Sequence, residues 1–177
     1  APRLRARYWR HRDGDVISID SGTTTMHMIP FLADRKHLTI VTASVYVINA
    51  ATAYPNFNVI ATGGQLYLPS KAFVGSSVLK CLQNYNLSKI FLASTGISLE
   101  NGATNASPLE SEIKRCLVQK AGKKFLLVDT SKLDIVSLMT YCQLSDLDTI
   151  IMDKLPPAKY TDYFTAHKVQ LLTEMPG

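Results

Sequence analysis

The stretch Val16–Thr25, VISIDSGTTT, decides the fold. VISI is a short β-branched run that reads as a buried strand, and it closes on a carboxylate, Asp20. A hydroxyl-rich turn follows, Ser21-Gly22-Thr23-Thr24-Thr25, and MHMIPFLADR then continues with helical spacing. Strand, polar turn and helix make the opening half of a βαβ unit. Pro30 is expected to kink or shorten that first helix.

The same alternation extends outward. Leu38–Thr42 (LTIVT) reads as a second strand, and Ser44 caps a helix from Val45 to about Ala53. Phe57–Thr62 (FNVIAT) is a third strand, stopped by Gly63-Gly64. Ala72–Asn84 reads as a helix and Lys89–Ala93 (KIFLA) as a fourth strand. A polar loop, STGISLENGATNAS, leads into a helix from about Pro108 to Ala121, with Ser107 as cap and Pro108 at its first position. Lys124–Asp129 is a fifth strand and Thr149–Asp153 another. A last helix over Pro156–His167 and a final strand over Val169–Thr173 complete the pattern. Short Val/Ile/Leu-rich strands alternating with helices predict an α/β fold, a mostly parallel sheet with helices on both faces.

Composition agrees. The chain has 177 residues, 46% hydrophobic and 19% charged, which suits one domain with a core that needs neither disulfides nor a structural metal. The net charge of +5 is carried by the first twelve residues, which hold Arg3, Arg5, Arg7, Arg10 and Arg12 and no acid. From Asp13 onward 14 basic residues meet 14 acidic ones, so the basic balance is no evidence that the globular part binds nucleic acid. Residues 1–13 are therefore set apart as a basic linker remnant and 14–177 as the domain. The uncharged stretch Leu38–Asn58 is interrupted by polar residues and Pro55 and divides into strand and helix, so no membrane span is expected. The arginines at the start precede no apolar run, so no secretory signal is read there. Cys81, Cys116 and Cys142 are odd in number and form no CxxC, which predicts buried core thiols in a reducing compartment and no zinc. His11 and His37 are expected on the surface and His27 and His167 on helix faces, with no metal-ligand spacing among them.

In open α/β sheets, ligands sit beyond the carboxyl ends of the strands, and the polar residues of this chain collect there. Asp20, Gly22, Thr23, Thr24 and Thr25 follow the first strand, offering free N–H groups and hydroxyls to an anion; the same turn is also readable as an ordinary βα loop. Ser44 follows the second strand, either as a ligand contact or as a plain cap. Gly63-Gly64 after the third strand is a tight turn or an access point. Gly102 and Thr104 follow the fourth, ahead of a helix carrying Glu110 and Lys114, a spacing typical of a solvated i,i+4 pair. Asp129, Thr130, Ser131 and Lys132 follow the fifth. There is neither a P-loop GKS/GKT nor a GxGxxG, and no Ser/His/Asp or Cys/His grouping. Phosphate plus a polyol would suit these groups.

The order D-x-G-T-T-T (Asp20–Thr25), V-T-x-S (Val41–Ser44), Gly63-Gly64, G-x-T ahead of E-x-x-x-K (Gly102–Lys114), D-x-S-K (Asp129–Lys132) and D-T-I-I-x-D (Asp148–Asp153) resembles the C-terminal sensor domain of the DeoR family of bacterial sugar-metabolism repressors. The resemblance runs from about Gly14 to the end. It implies a fold similar to ribose-5-phosphate isomerase and a phosphorylated sugar as effector, with no cofactor. Operator DNA would be bound through a separate N-terminal helix-turn-helix, in a cytoplasmic oligomer. Carried over, the sugar-phosphate site would comprise Asp20, Gly22, Thr23, Thr24, Ser44, Gly102, Thr104, Lys114, Asp129, Ser131 and Lys132. This chain departs from the family at Ala43, where Asn is usual, and in reading Thr130 and Leu133 within the D-S-S-K-F run. It carries no helix-turn-helix, and Arg3–Arg12 stand where an interdomain linker would end, as a solvated linker or a DNA-contacting arm.

The rival from another class is a sugar-phosphate isomerase on the same fold. The isomerases resembled carry D-G-A-D-E and K-G-G-G-G motifs where this chain reads Ser94-Thr95-Gly96-Ile97 and Asn101-Gly102-Ala103-Thr104. Moving a proton between adjacent carbons needs a base, and the loss of the acid pair and the loop lysine argues against catalysis. A third reading, a scaffold with a decayed pocket, rests on Ala43.

Overall fold

The computed structural model describes residues 12–173. Seven strands form one sheet: β1 (Val16–Ile19), β2 (Thr39–Thr42), β3 (Asn58–Ala61), β6 (Lys89–Ala93), β9 (Lys123–Leu127), β11 (Thr149–Met152) and β12 (Gln170–Thr173). Their spatial order is β12-β11-β9-β6-β1-β2-β3, and every pairing is parallel. These are the seven strands that the apolar runs predict, with ends shifted by a residue or two.

Because side chains alternate along a strand, the sheet feeds two cores. From β6, Ile90 and Leu92 enter the core under α3 (Ser76–Gln83), α4 (Pro108–Lys120) and α5 (Ala158–Ala166), beside Leu82, Leu117 and Phe164. Phe91 points the other way, stacks on Phe125 at 4.9 Å and joins Ile17, Ile19 and Ile40. That second core is covered by α1 (Thr23–Met26), a 3-10 turn (Ile29–Leu32) and α2 (Val45–Ala51), through Met28, Ile29, Leu32, Val47 and Ala51. The sheet is thus covered by helices on both faces.

Two small antiparallel sheets depart from the sequence reading. Where Ala72–Asn84 reads as one helix, Ala72–Val74 is strand β5, paired with β4 (Gln65–Tyr67) in a hairpin. Gly75, at φ +96°, separates β5 from α3. The expected polar loop before α4 instead contains β7 (Gly96–Ser98) and β8 (Gly102–Asn105), which pair with β10 (Met139–Cys142) in the order β10-β8-β7. Gly102 sits at φ +72°, and a Cβ there would lie 2.2 Å from the Cys142 carbonyl oxygen. The first helix is cut to one turn and resumes as the 3-10 turn with Pro30 at its start. Cys142 is buried, whereas Cys81 and Cys116 are half-buried on helices rather than in the core. His27, His37 and His167 are exposed, and the latter stacks on Tyr163 at 4.0 Å. His11 and four of the five N-terminal arginines lie outside the described residues. Among the described residues no helix is long and apolar enough to cross a membrane.

After β1 the chain adds β2 and β3 to one side, and from β6 it adds β9, β11 and β12 to the other. Strand order therefore reverses between β1 and β6, and a crevice opens at their carboxyl ends.

Candidate functional site

The floor of that crevice is built from the last residue pair of two strands. The Asp20 N–H donates to the Phe91 carbonyl at 2.9 Å, which ties the end of β1 to β6. The Asp20 carboxylate accepts from the Ala93 N–H at 3.1 Å and from the ammonium of Lys114. Lys114 is 1% exposed; its Nζ also donates to the Ala93 carbonyl at 2.9 Å and sits 5.6 Å from the centre of the Tyr141 ring. The Tyr141 hydroxyl donates to the same carbonyl at 3.3 Å, and burial above all holds its ionisation well above the ordinary tyrosine value. The floor is thus one buried ion pair whose donors and acceptors satisfy one another, flanked by a buried phenol that stays neutral.

The walls come from two turns that each open a helix. Ser21–Thr24 forms the first, and a Cβ on Gly22 would lie 2.8 Å from the Cβ of Ala93, so only glycine lets this turn rest against the end of β6. Asn105–Ser107 forms the second. There the Asn105 side chain accepts from the Ser107 N–H at 3.0 Å, and Ser107 Oγ accepts from the Glu110 N–H at 3.3 Å, capping α4. Glu110, in the first turn of α4, accepts the Ser21 hydroxyl at 3.0 Å and so joins the two walls. Ser94 and Thr95 after β6 and Lys132 at the end of a 3-10 turn (Thr130–Lys132) close the far side, and the tip of the β4–β5 hairpin contributes Tyr67, Pro69 and Ser70. The open cleft measures about 420 Å³, the size of a small-ligand site.

Of the sequence-predicted residues, the structure brings Gly22, Thr23, Thr24, Lys114 and Lys132 into the cleft lining. Asp20 and Thr25 lie just beneath it. Asp20 holds Lys114, and the Thr25 hydroxyl donates to the Asp20 and Gly22 carbonyls at 2.7 and 2.9 Å. The other five do not line it. Ser44 is buried and caps α2 by accepting from the Val47 N–H at 3.3 Å. Gly102 and Thr104 belong to β8 rather than to a helix-opening loop, and the Thr104 hydroxyl accepts from the Ser137 N–H at 2.9 Å while donating to Gly96 at 3.2 Å. Asp129 and Ser131 bond to each other in the 3-10 turn that presents Lys132. Glu110 and Lys114 are not a solvated pair; each is claimed by a residue at the end of β1, Glu110 by Ser21 and Lys114 by Asp20.

Sequence reasoning missed Ser21, Ser94, Thr95, Asn105, Ser107 and Glu110 as cleft residues. Ser94-Thr95 carried a usable signal, being the first polar pair after the strand that borders the switch point. Tyr67, Pro69 and Ser70 carried none, because the hairpin that places them was not legible. Among the described residues, no group of three or more His, Cys, Asp or Glu side chains is placed to hold a metal ion.

The profile of the DeoR C-terminal sensor domain matches residues 11–154. The HTH-type transcriptional regulator IolR of Bacillus subtilis is 38% identical over 157 residues, 89% of this chain and 62% of that protein. The HTH-type transcriptional repressor GlcR of the same organism is 31% identical over 165 residues, 90% of this chain and 61% of that protein. The chain therefore spans about three fifths of the length of these relatives. Among solved structures, ribose 5-phosphate isomerase A from Neisseria gonorrhoeae superposes with a TM-score of 0.50 at 13% identity, over 74% of this chain and 49% of that one, a likeness of fold. On the profile match and these two relatives, the chain belongs to the DeoR family as its C-terminal sensor domain.

Proposed function

We propose that the cleft between β1 and β6 binds a phosphorylated sugar and that its occupancy is the input of a transcriptional regulator. One observation carries this reading: two helix-opening turns, Ser21–Thr24 and Asn105–Ser107, face one cleft that Lys132 also enters. Unpaired N–H groups at the start of a helix attract an anion; in the second turn the Ser107 and Glu110 N–H groups are taken by the Asn105 and Ser107 side chains, so the first turn carries this role. Lys114 is held by Asp20, so Lys132, which forms no ion pair among the described residues, is the cation left for a phosphate. The hydroxyls of Ser21, Thr23, Thr24, Ser94 and Thr95 suit a polyol. The relatives' names, which are those of HTH-type regulators, support coupling to DNA through a helix-turn-helix. The effector must bind one arrangement of subunits better than another, since equal affinity shifts nothing.

An isomerase is disfavoured by the same geometry. Glu110 is the single carboxylate among the cleft-lining residues, and it already accepts the Ser21 hydroxyl.

A thermal-shift panel tests the proposal, comparing sugar phosphates with the bare sugars and with inorganic phosphate. Ligand at a hundred times its Kd adds about 2.7 kcal/mol, at roughly 2–4 °C per kcal/mol for a domain of this size. The expected result is a shift with one or two sugar phosphates, absent with bare sugars and lost in Thr24→Val and Lys132→Ala. No shift with any of them at millimolar concentration overturns it.

A further inference from the structure

The cleft carries charge of two signs on different walls. Lys132 stands on the far side, and Glu110, the single carboxylate among the lining residues, stands where the two turns meet. Its side chain leaves the first turn of α4 and reaches the other wall, where one oxygen accepts the Ser21 hydroxyl at 3.0 Å. Both residues of that contact line the cleft and both are half-buried, so the carboxylate is set at the cleft surface rather than beneath it. Among the described residues its second oxygen accepts no hydrogen bond and no cation pairs with it; Lys114, four residues along the same helix, is spent on Asp20.

An acid in the first turn of a helix is favourable in itself. That accounts for a glutamate at this position, but not for a side chain drawn across the cleft to Ser21. A carboxylate only accepts hydrogen bonds. It suits the hydroxyl protons of a sugar, and it opposes a second anion brought against it. We infer that Glu110 is a specificity-determining residue: its unpaired oxygen accepts from hydroxyls of the sugar, and its charge admits a neutral polyol end while turning away an acidic one. The phosphate then points toward Lys132 and the first turn, so the effector enters one way round. The inference rests on the sugar-phosphate reading of the cleft and narrows it, to sugar monophosphates whose end remote from the phosphate carries hydroxyls and no second anion. Selectivity of this kind uses a repulsive element as well as an attractive one.

The test uses the 177-residue chain, titrated calorimetrically with two matched pairs of probes. These are glucose 6-phosphate against 6-phosphogluconate, and fructose 6-phosphate against fructose 1,6-bisphosphate. In at least one pair the wild type should bind the member without the second anion about tenfold or more tightly. Glu110→Gln keeps the shape and an oxygen for Ser21, so it should melt close to wild type and close most of that gap. Glu112→Gln removes the same charge from an exposed position on α4 outside the cleft, and should leave the gap as it is. A wild type that binds the two-anion members as well as or better than their partners overturns the role of Glu110 alone. So does a gap that Glu110→Gln leaves open, or that Glu112→Gln closes equally. A wild type that binds none of the four probes overturns the effector reading and this inference with it.

Discussion

Lys114 and Asp20 form a buried ion pair across 94 residues of sequence, joining the middle of α4 to the end of β1 under the cleft. With Lys114 1% and Asp20 7% exposed, water is excluded from both charges. Removing one partner of such a pair strands the other charge, typically at a cost of about 3–5 kcal/mol, whereas replacing both with neutral groups costs far less. Lys114→Met is therefore expected to lose about that much in urea unfolding, and Asp20→Asn/Lys114→Met to recover a large part. A single variant within about 1 kcal/mol of wild type would contradict the pairing.

Thr104 holds two strands together through its hydroxyl, which serves Ser137 and Gly96 at once. Thr104→Val keeps the shape and leaves the Ser137 N–H without its partner, while the Gly96 carbonyl keeps the Ser94 hydroxyl, a loss of about 2 kcal/mol. Ligand affinity, measured at a temperature where the variant is fully folded, should match wild type. A stable variant that no longer binds would return Thr104 to the ligand site.

Low pH should weaken the fold through Asp15. Its burial alone would raise its pKa, but the Lys89 ammonium, the Arg12 N–H and Ser88 together hold the carboxyl below its usual 3.8. A depressed folded value means that its stabilising contribution is complete above pH 4 or so and drains away as pH falls through the folded pKa. Asp15→Asn should flatten the acid limb of stability against pH. An unchanged acid limb would show that other carboxylates govern it.

Cys142 should resist alkylation. Burial above all pushes its thiol up to about 12, so at pH 8 roughly one molecule in ten thousand carries the thiolate. Half-buried Cys81 and Cys116, also raised by burial, should react with iodoacetamide first, and Cys142 only on unfolding. Mass spectrometry of the native and urea-treated chain reads this directly. Early modification of Cys142 would mean that the β8–β10 pairing opens readily.

What was legible in the sequence follows from what is local. Lys89–Ala93 is a strand residue for residue because an apolar run flanked by polar groups has one reading, and Ser107-Pro108 marks the start of α4 because capping is decided within one turn. The three-stranded sheet escaped because Gly96, Gly102 and Asn105 disfavour strands and a lone Thr104 cannot outweigh them; they are held extended by partners up to about forty residues away. The cleft was half legible for the same reason. Gly22, Thr23 and Thr24 lie next to a recognisable strand end, while the pairing of Lys114 with Asp20 instead of Glu110 depends on how α4 packs on the sheet.

The order of the strands also fixes the direction in which any message travels. The chain enters the sheet at Val16, in its interior and at the amino end of β1, and reaches the cleft four residues later. About 13 Å of strand separate those points, so the pole that receives the chain and the pole that receives the ligand face opposite ways. On the proposed reading, an effector in the cleft would lie a strand's length from the amino end of β1 and could act on that end only through the sheet itself.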